Sequence, residues 1–128
     1  MNPIELAKIA VEAATRAYAP YSKFKVGAAL LAENGEIYTG CNVENASYGM
    51  SICAERVAVA KAITEGVKSF QAIAVSTKGS AAPCGACRQV LAEFNPTMLV
   101  YIADEMGNVA HETTLDTLIP HAFGPENL

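Results

Sequence analysis

Apolar positions near the start of the chain recur at helical spacing. Ile4, Ala7, Val11, Ala14 and Tyr18 form one stripe of a helix that Asn2 can cap, with Pro3 at its first position and Pro20 ending it. The period then changes. Phe24 to Leu31 and Glu36 to Val43 read as two strands joined by Glu33-Asn34-Gly35, whose Asn-Gly pair is a strong hairpin signal. From Cys53 onward, Val57, Ala58, Ala60, Lys61, Ala62 and Ile63 describe a helix rich in good helix formers and closed by Gly66. Gln71 to Thr77 is a β-prone run. A second such helix opens at Cys84 to Cys87 and continues through Val90, Leu91 and Phe94 until Pro96 stops it. A further strand, Thr97 to Ala103, precedes the Asp104-Glu105-Met106-Gly107-Asn108 turn and a short extended piece, Val109 to Glu112. Thr114 then caps a short helix carrying Leu115 and Leu118, ended by Pro120. These elements predict one α/β domain over residues 1–128, a three-layer α/β/α sandwich around one mixed sheet of about five strands.

Composition narrows the class. The chain is 52% apolar and only 17% charged, high for a lone small domain, so some apolar surface is expected to meet other subunits. A net charge of −4 with no cluster of Lys or Arg argues against a nucleic acid or an anionic membrane as partner, and a small free substrate fits better. The absence of a signal-like start and of an apolar run near 18 residues, with cysteines committed to metal, points to the cytoplasm.

The candidate chemistry lies in Cys53-Ala54-Glu55-Arg56 and Pro83-Cys84-Gly85-Ala86-Cys87. A helix of about 12 residues travels roughly 18 Å, and the following strand returns about as far, so Cys84 should land near Cys53. Three thiols with one carboxylic acid can hold a tetrahedral zinc ion that keeps one corner for water, beside a proton carrier. Both thiol clusters sit at predicted helix N-termini, which should favour the thiolate. Arg56 shares a helical face with Cys53 and can donate to its sulfur, offsetting the charge of three thiolates. Glu55, two residues from Cys53, can face the metal only if Cys53 stands at the very start of the helix. Two other readings use the same thiols. Cys84 and Cys87 could be a redox dithiol, and Cys41 could close a structural four-cysteine site, although in its strand-like run it reads as a small buried hydrophobe. His111 and His121 lie outside any ligand spacing.

Cys53-x-Glu55 followed by Pro83-Cys84-x-x-Cys87 resembles the zinc-dependent cytidine deaminase signature, in the variant where cysteine replaces the first-ligand histidine. The segments Ala19 to Leu30 and Gly40 to Tyr48 are similar to the nucleoside-binding segments of small tetrameric members, so the likeness covers nearly the whole chain. It implies one Zn²⁺ per subunit on Cys53, Cys84 and Cys87, with Glu55 moving protons, and hydrolytic deamination of cytidine and 2'-deoxycytidine with release of ammonia. Phe24, a core aromatic by its sequence alone, would pack against the pyrimidine. Asn42 and Glu44, which alternate along a strand end and otherwise read as solvated polar residues, would bind the ribose. Tyr48 would shape the pocket, and Ala54 would leave its backbone free to meet the base. Phe123, near a polar C-terminus, would close a neighbouring subunit's site in a homotetramer. Gln89 reads equally as a residue behind the metal ligands or an exposed one. A blasticidin-type aminonucleoside deaminase would share the metal motif, whereas Asn42, Glu44 and Ala46-Ser47-Tyr48 favour the nucleoside enzyme. A structural-zinc or dithiol module would need neither Glu55 nor the sugar-binding pair.

Overall fold

The computed structural model describes residues 1–128. Helix α1 (Pro3–Ala14) begins at Asn2, whose Oδ1 accepts from Glu5 N at 2.8 Å. Its buried face is Leu6, Ala7, Ala10 and Ala13, while Ile4 and Tyr18 are exposed. The stripe expected from Ile4 and Val11 is thus rotated toward the small residues. The physical reason is close packing, because a Cβ on Gly27 of the first strand would stand 2.5 Å from Ala14 N, and only an alanine-rich face fits at that separation. The helix stops at Ala14, where Thr15 turns its N–H and hydroxyl back to Glu12 O, so Pro20 is not its terminator.

Strands β1 (Gly27–Ala32) and β2 (Ile37–Cys41) form the expected hairpin, turning through Gly35 at φ +89°. Helix α2 (Ala54–Thr64), strand β3 (Phe70–Ser76), helix α3 (Gly85–Phe94), strands β4 (Leu99–Ala103) and β5 (Val109–Thr114) and helix α4 (Leu115–Leu118) follow, with short 3-10 turns at Tyr48–Met50 and Pro125–Asn127. The sheet order is β2-β1-β3-β4-β5. All neighbours are antiparallel except β3 and β4, which are parallel and joined by α3. Period-two alternation divides the core into two layers. Ala29, Leu31, Ala72 and Ala74 pack under Leu6 and Ala10 of α1. On the opposite face Ala28, Leu30, Ile73, Val75 and Val100 meet Ala58, Leu91 and Leu115 of α2, α3 and α4. The molecule is therefore the three-layer α/β/α sandwich with one mixed five-stranded sheet.

Two strand ends start later than the hydrophobic pattern implies, and side-chain amides explain both. Residues 24–26 are held by the Asn42 side-chain amide with only one backbone bond beside it, Asn42 N to Val26 O at 3.3 Å, and Thr97 is capped by Asn95, whose Nδ2 also donates to Phe70 O at 2.7 Å. No helix is long and apolar enough to cross a membrane. Because β3 and β4 run parallel, the C-terminal end of β3 faces the start of α3. The start of α2 lies there too, which is where open α/β sheets place ligands.

Candidate active site

Cys53 is the cap of α2, with extended φ −73° and ψ 152°, and Cys84 is the cap of α3, at φ −68° and ψ 167°. Their sulfurs lie 3.9 Å apart, Cys84 Sγ is 3.6 Å from Cys87 Sγ, and all three are within 4.8 Å of one another. A tetrahedral ion with Zn–S bonds of about 2.3 Å needs sulfurs about 3.8 Å apart. The donor set fits zinc in both distance and chemistry. Cys41 lies on β2, outside this cluster, as do both histidines, so no fourth protein ligand closes the tetrahedron.

The cap position of Cys53 also solves the placement of Glu55. With Cys53 outside the helix, Glu55 is the second residue of α2 and lines the same cavity as Cys53 and Cys84. It is only 4% exposed. Burial pushes its carboxyl above the ordinary range, against the opposing pull of its own N–H, Cys87 and Arg56. Arg56 points its Nη2 at Cys53 Sγ from 4.0 Å, and its Nε is buried with no protein partner.

The helix N-termini do less for the thiols than their position suggests. At Cys84 burial, which raises the thiol, is outweighed by the Cys87 N–H, by hydrogen bonds with the Cys87 and Cys53 thiols and by the Ala86 N–H, and the thiol falls below its ordinary range. Burial raises Cys53, and raises Cys87 strongly, with the nearby Glu55 carboxylate adding to the effect at Cys87. Of the three thiols, only Cys84 therefore lies below its ordinary range. The other two need the dication itself to ionise.

The cavity measures about 590 Å³ and is lined by Phe24, Asn42, Glu44 and Tyr48 as well as by the metal-side residues. Phe24 is 42% exposed on its wall. Asn42 accepts from Val26 N and donates to Phe24 O, both at 2.8 Å, so it fixes the segment that presents Phe24. Glu44 accepts from Tyr21 N at 3.0 Å, from Ser22 N at 3.2 Å and from the Ser22 hydroxyl. The Ser22 hydroxyl, ahead of the two N–H groups and Lys23, holds the Glu44 carboxyl below its ordinary range despite some desolvation. Tyr48 stands beside Tyr21, ring centroids 6.0 Å apart. Ala54 is fully buried and does not line the cavity. As the first residue of α2, it has an N–H with no acceptor inside the helix. Phe123 lies outside its own chain's cavity and is exposed.

Sequence reasoning overlooked Ser22, Thr77, Ala81 and Ala82, all of which line the cavity. Ser22 acts through Glu44, a partner 22 positions away, and carries no local signal. The loop after β3 was more legible, since Lys78-Gly79-Ser80 interrupts the apolar run and leads to the Pro83-Cys84 ligand segment. It is built on a Thr77 hydroxyl accepting from Ala81 N at 2.7 Å, with Ser80 at φ +57°.

Comparison with known proteins agrees with this geometry. Residues 2–103 match the family described as the cytidine and deoxycytidylate deaminase zinc-binding region. The chain is 56% identical over 120 residues to a cytidine deaminase of Sporosarcina psychrophila, covering 91% of this chain and 88% of that protein. It is 48% identical to one of Halalkalibacterium halodurans, covering 96% and 95%. Among solved structures, the cytidine deaminase of Burkholderia pseudomallei superposes with a TM-score of 0.91 at 48% identity, over 96% of this chain and all of that one. The chain belongs to the cytidine and deoxycytidylate deaminase family, and Cys53, Cys84 and Cys87 are placed to hold its zinc.

Proposed function

We propose that this chain is, over its full length, one catalytic domain that hydrolyses cytidine and 2'-deoxycytidine to the corresponding uridines and ammonia. The observation that carries this reading is a cluster of three sulfurs at zinc spacing, two of them on the wall of a cavity that also presents a buried carboxyl, an aromatic and two polar side chains. When bound, zinc supplies Lewis-acid activation of water at neutral pH. Glu55 accepts a proton from the attacking water, returns it to ring N3, and carries a further proton to the departing amine. Its burial raises its proton affinity toward the range a general acid–base needs. Phe24 packs on the pyrimidine, the Ala54 N–H meets the base, and Asn42 and Glu44, already holding the 21–26 segment, turn their remaining lone pairs and donor to the ribose hydroxyls. Tyr48 borders the sugar side. Arg56 offsets the excess negative charge of the thiolates.

Tyr18, Val43, Tyr48 and Met50 are exposed apolar side chains. Tyr48 borders the cavity, Met50 shares its 3-10 turn, and Val43 is bridged to both Tyr18 and Ile52. This patch supports a homotetramer in which Phe123 closes a neighbouring subunit's pocket. Three reduced thiols suit the cytoplasm, where the enzyme would serve pyrimidine salvage. An ultraviolet assay comparing cytidine, deoxycytidine, CMP and blasticidin S, with native mass measurement, tests the reading. Turnover of the two nucleosides by a zinc-loaded tetramer is expected, whereas preference for blasticidin S, or inertness toward cytidine, would overturn it.

A further inference from the structure

The first turn of α3 does more than supply Cys87. Arg88 is half-buried, yet it meets no carboxylate, since the chain's one ion pair is Glu12–Arg16 on the surface. Its Nε donates to Pro83 O and its Nη1 to Leu118 O, each at 2.7 Å. One planar guanidinium thus spans the carbonyl immediately before the ligand Cys84 and the last residue of α4. The next residue, Gln89, donates from Nε2 to Phe123 O at 2.9 Å. Consecutive helical positions differ by about 100°, so Cys87, Arg88 and Gln89 leave α3 in three directions. Cys87 belongs to the thiol cluster, Arg88 reaches both the ligand loop and the end of α4, and Gln89 reaches the C-terminal segment further on. The segment itself lies on the main core, with Leu118, Ile119 and Ala122 packed there, and Phe123 projects beyond it.

We propose that Arg88, with Gln89, is a positioning residue that ties the Cys84 ligand loop to the C-terminal segment, so that metal retention and the placement of Phe123 depend on each other. This rests on the assignment of the three thiols as zinc ligands. Groups that orient metal ligands typically alter metal affinity 10–100-fold when removed, and coupling between two sites is reciprocal. The bridge needs the guanidinium fork. A lysine keeps the charge but offers a single point donor that cannot hold both carbonyls in the same geometry.

The test uses zinc-loaded protein challenged with excess EDTA, with zinc release timed and hydrogen exchange of residues 119–123 read in parallel. Arg88→Met should start with one zinc per chain and release it about 10–100-fold faster than wild type, with faster exchange in the C-terminal segment. Removing zinc from wild type should speed exchange in the same segment. Gln89→Glu, which loses the donor at constant shape, should loosen the segment with a smaller effect on zinc. Release from Arg88→Met within twofold of wild type, or segment exchange indifferent to zinc, overturns the coupling. Should Arg88→Met fail to fold, Arg88→Lys decides. Release more than twofold faster supports the bridge, and release within twofold of wild type shows that charge alone suffices. Wild type that purifies without zinc defeats the metal assignment itself, whereas a full zinc complement with unchanged release defeats only the coupling.

Discussion

Gly40 offers the sharpest structural perturbation, because it lies on β2 directly under the first turn of α2. A Cβ added there would stand 2.6 Å from Ala58 N and 3.1 Å from Val57 Cβ, and closer still to Ala54 O. Carbon contacts settle at about 3.5 Å or more, so Gly40→Ala must lift α2 by about 1 Å. Overpacking of this kind costs about 1–3 kcal/mol, or a fall in Tm of about 4–12 °C for a domain of this size. The larger consequence is catalytic. The lifted turn carries Cys53 and Glu55, and a misplacement of about 1 Å can cost about 100-fold in rate. Thermal unfolding of zinc-loaded protein and steady-state turnover of cytidine measure the two effects. Gly35→Ala is the control. It meets nothing within 4 Å, but its φ of +89° strains an alanine, so it should lose about 1 kcal/mol and keep its turnover. Wild-type Tm and turnover in Gly40→Ala would refute the argument, as would equal losses of turnover in both variants.

Other expectations follow from the same geometry. Glu55→Gln should keep its fold and zinc while turnover falls by about 10²–10⁴, and near-normal turnover removes Glu55 from the reaction. Arg56→Ala should lower zinc retention or turnover more than Tm, since it uncovers thiolate charge; unchanged zinc content and kinetics contradict that role. The Glu44 carboxyl has a folded pKa below its unfolded value. Its hold on Tyr21 and Ser22 is therefore complete above the unfolded value of about 4.3 and is lost as pH falls through the lower folded value. Amide shifts of Tyr21 and Ser22 should titrate with a midpoint below about 4.3, and a midpoint at or above it would show that no clamp exists.

The parts of this molecule that follow from local chemistry were legible in its sequence. Asn2-Pro3 starts α1, Asn34-Gly35 turns the hairpin, and Pro96 lies just beyond the end of α3. The thiol spacings and the helix–strand return brought Cys53 to Cys84. What was illegible depended on distances between elements. The buried face of α1 is chosen by how closely it approaches Gly27, not by which stripe is most apolar. The acidity of each thiol is set by burial and by the hydrogen bonds and charges around each sulfur, not by helix position alone. Asn42 and Glu44 were legible as a pair facing one way, but their grip on residues 21–26 appears only once the chain is folded. Arg88 and Gln89 reach carbonyls some thirty residues onward along the chain, a relation that no local pattern encodes.

Titration of metal-free protein with zinc, followed by the loss of cytidine absorbance, asks whether the reaction depends on metal held by these thiols. Activity should be absent at the start, rise in proportion to added metal, and reach a plateau at one zinc per chain. Cytidine turnover before any zinc is added, or a plateau unaffected by replacing Cys84 with serine, would rule out zinc on these three thiols as the centre of the reaction.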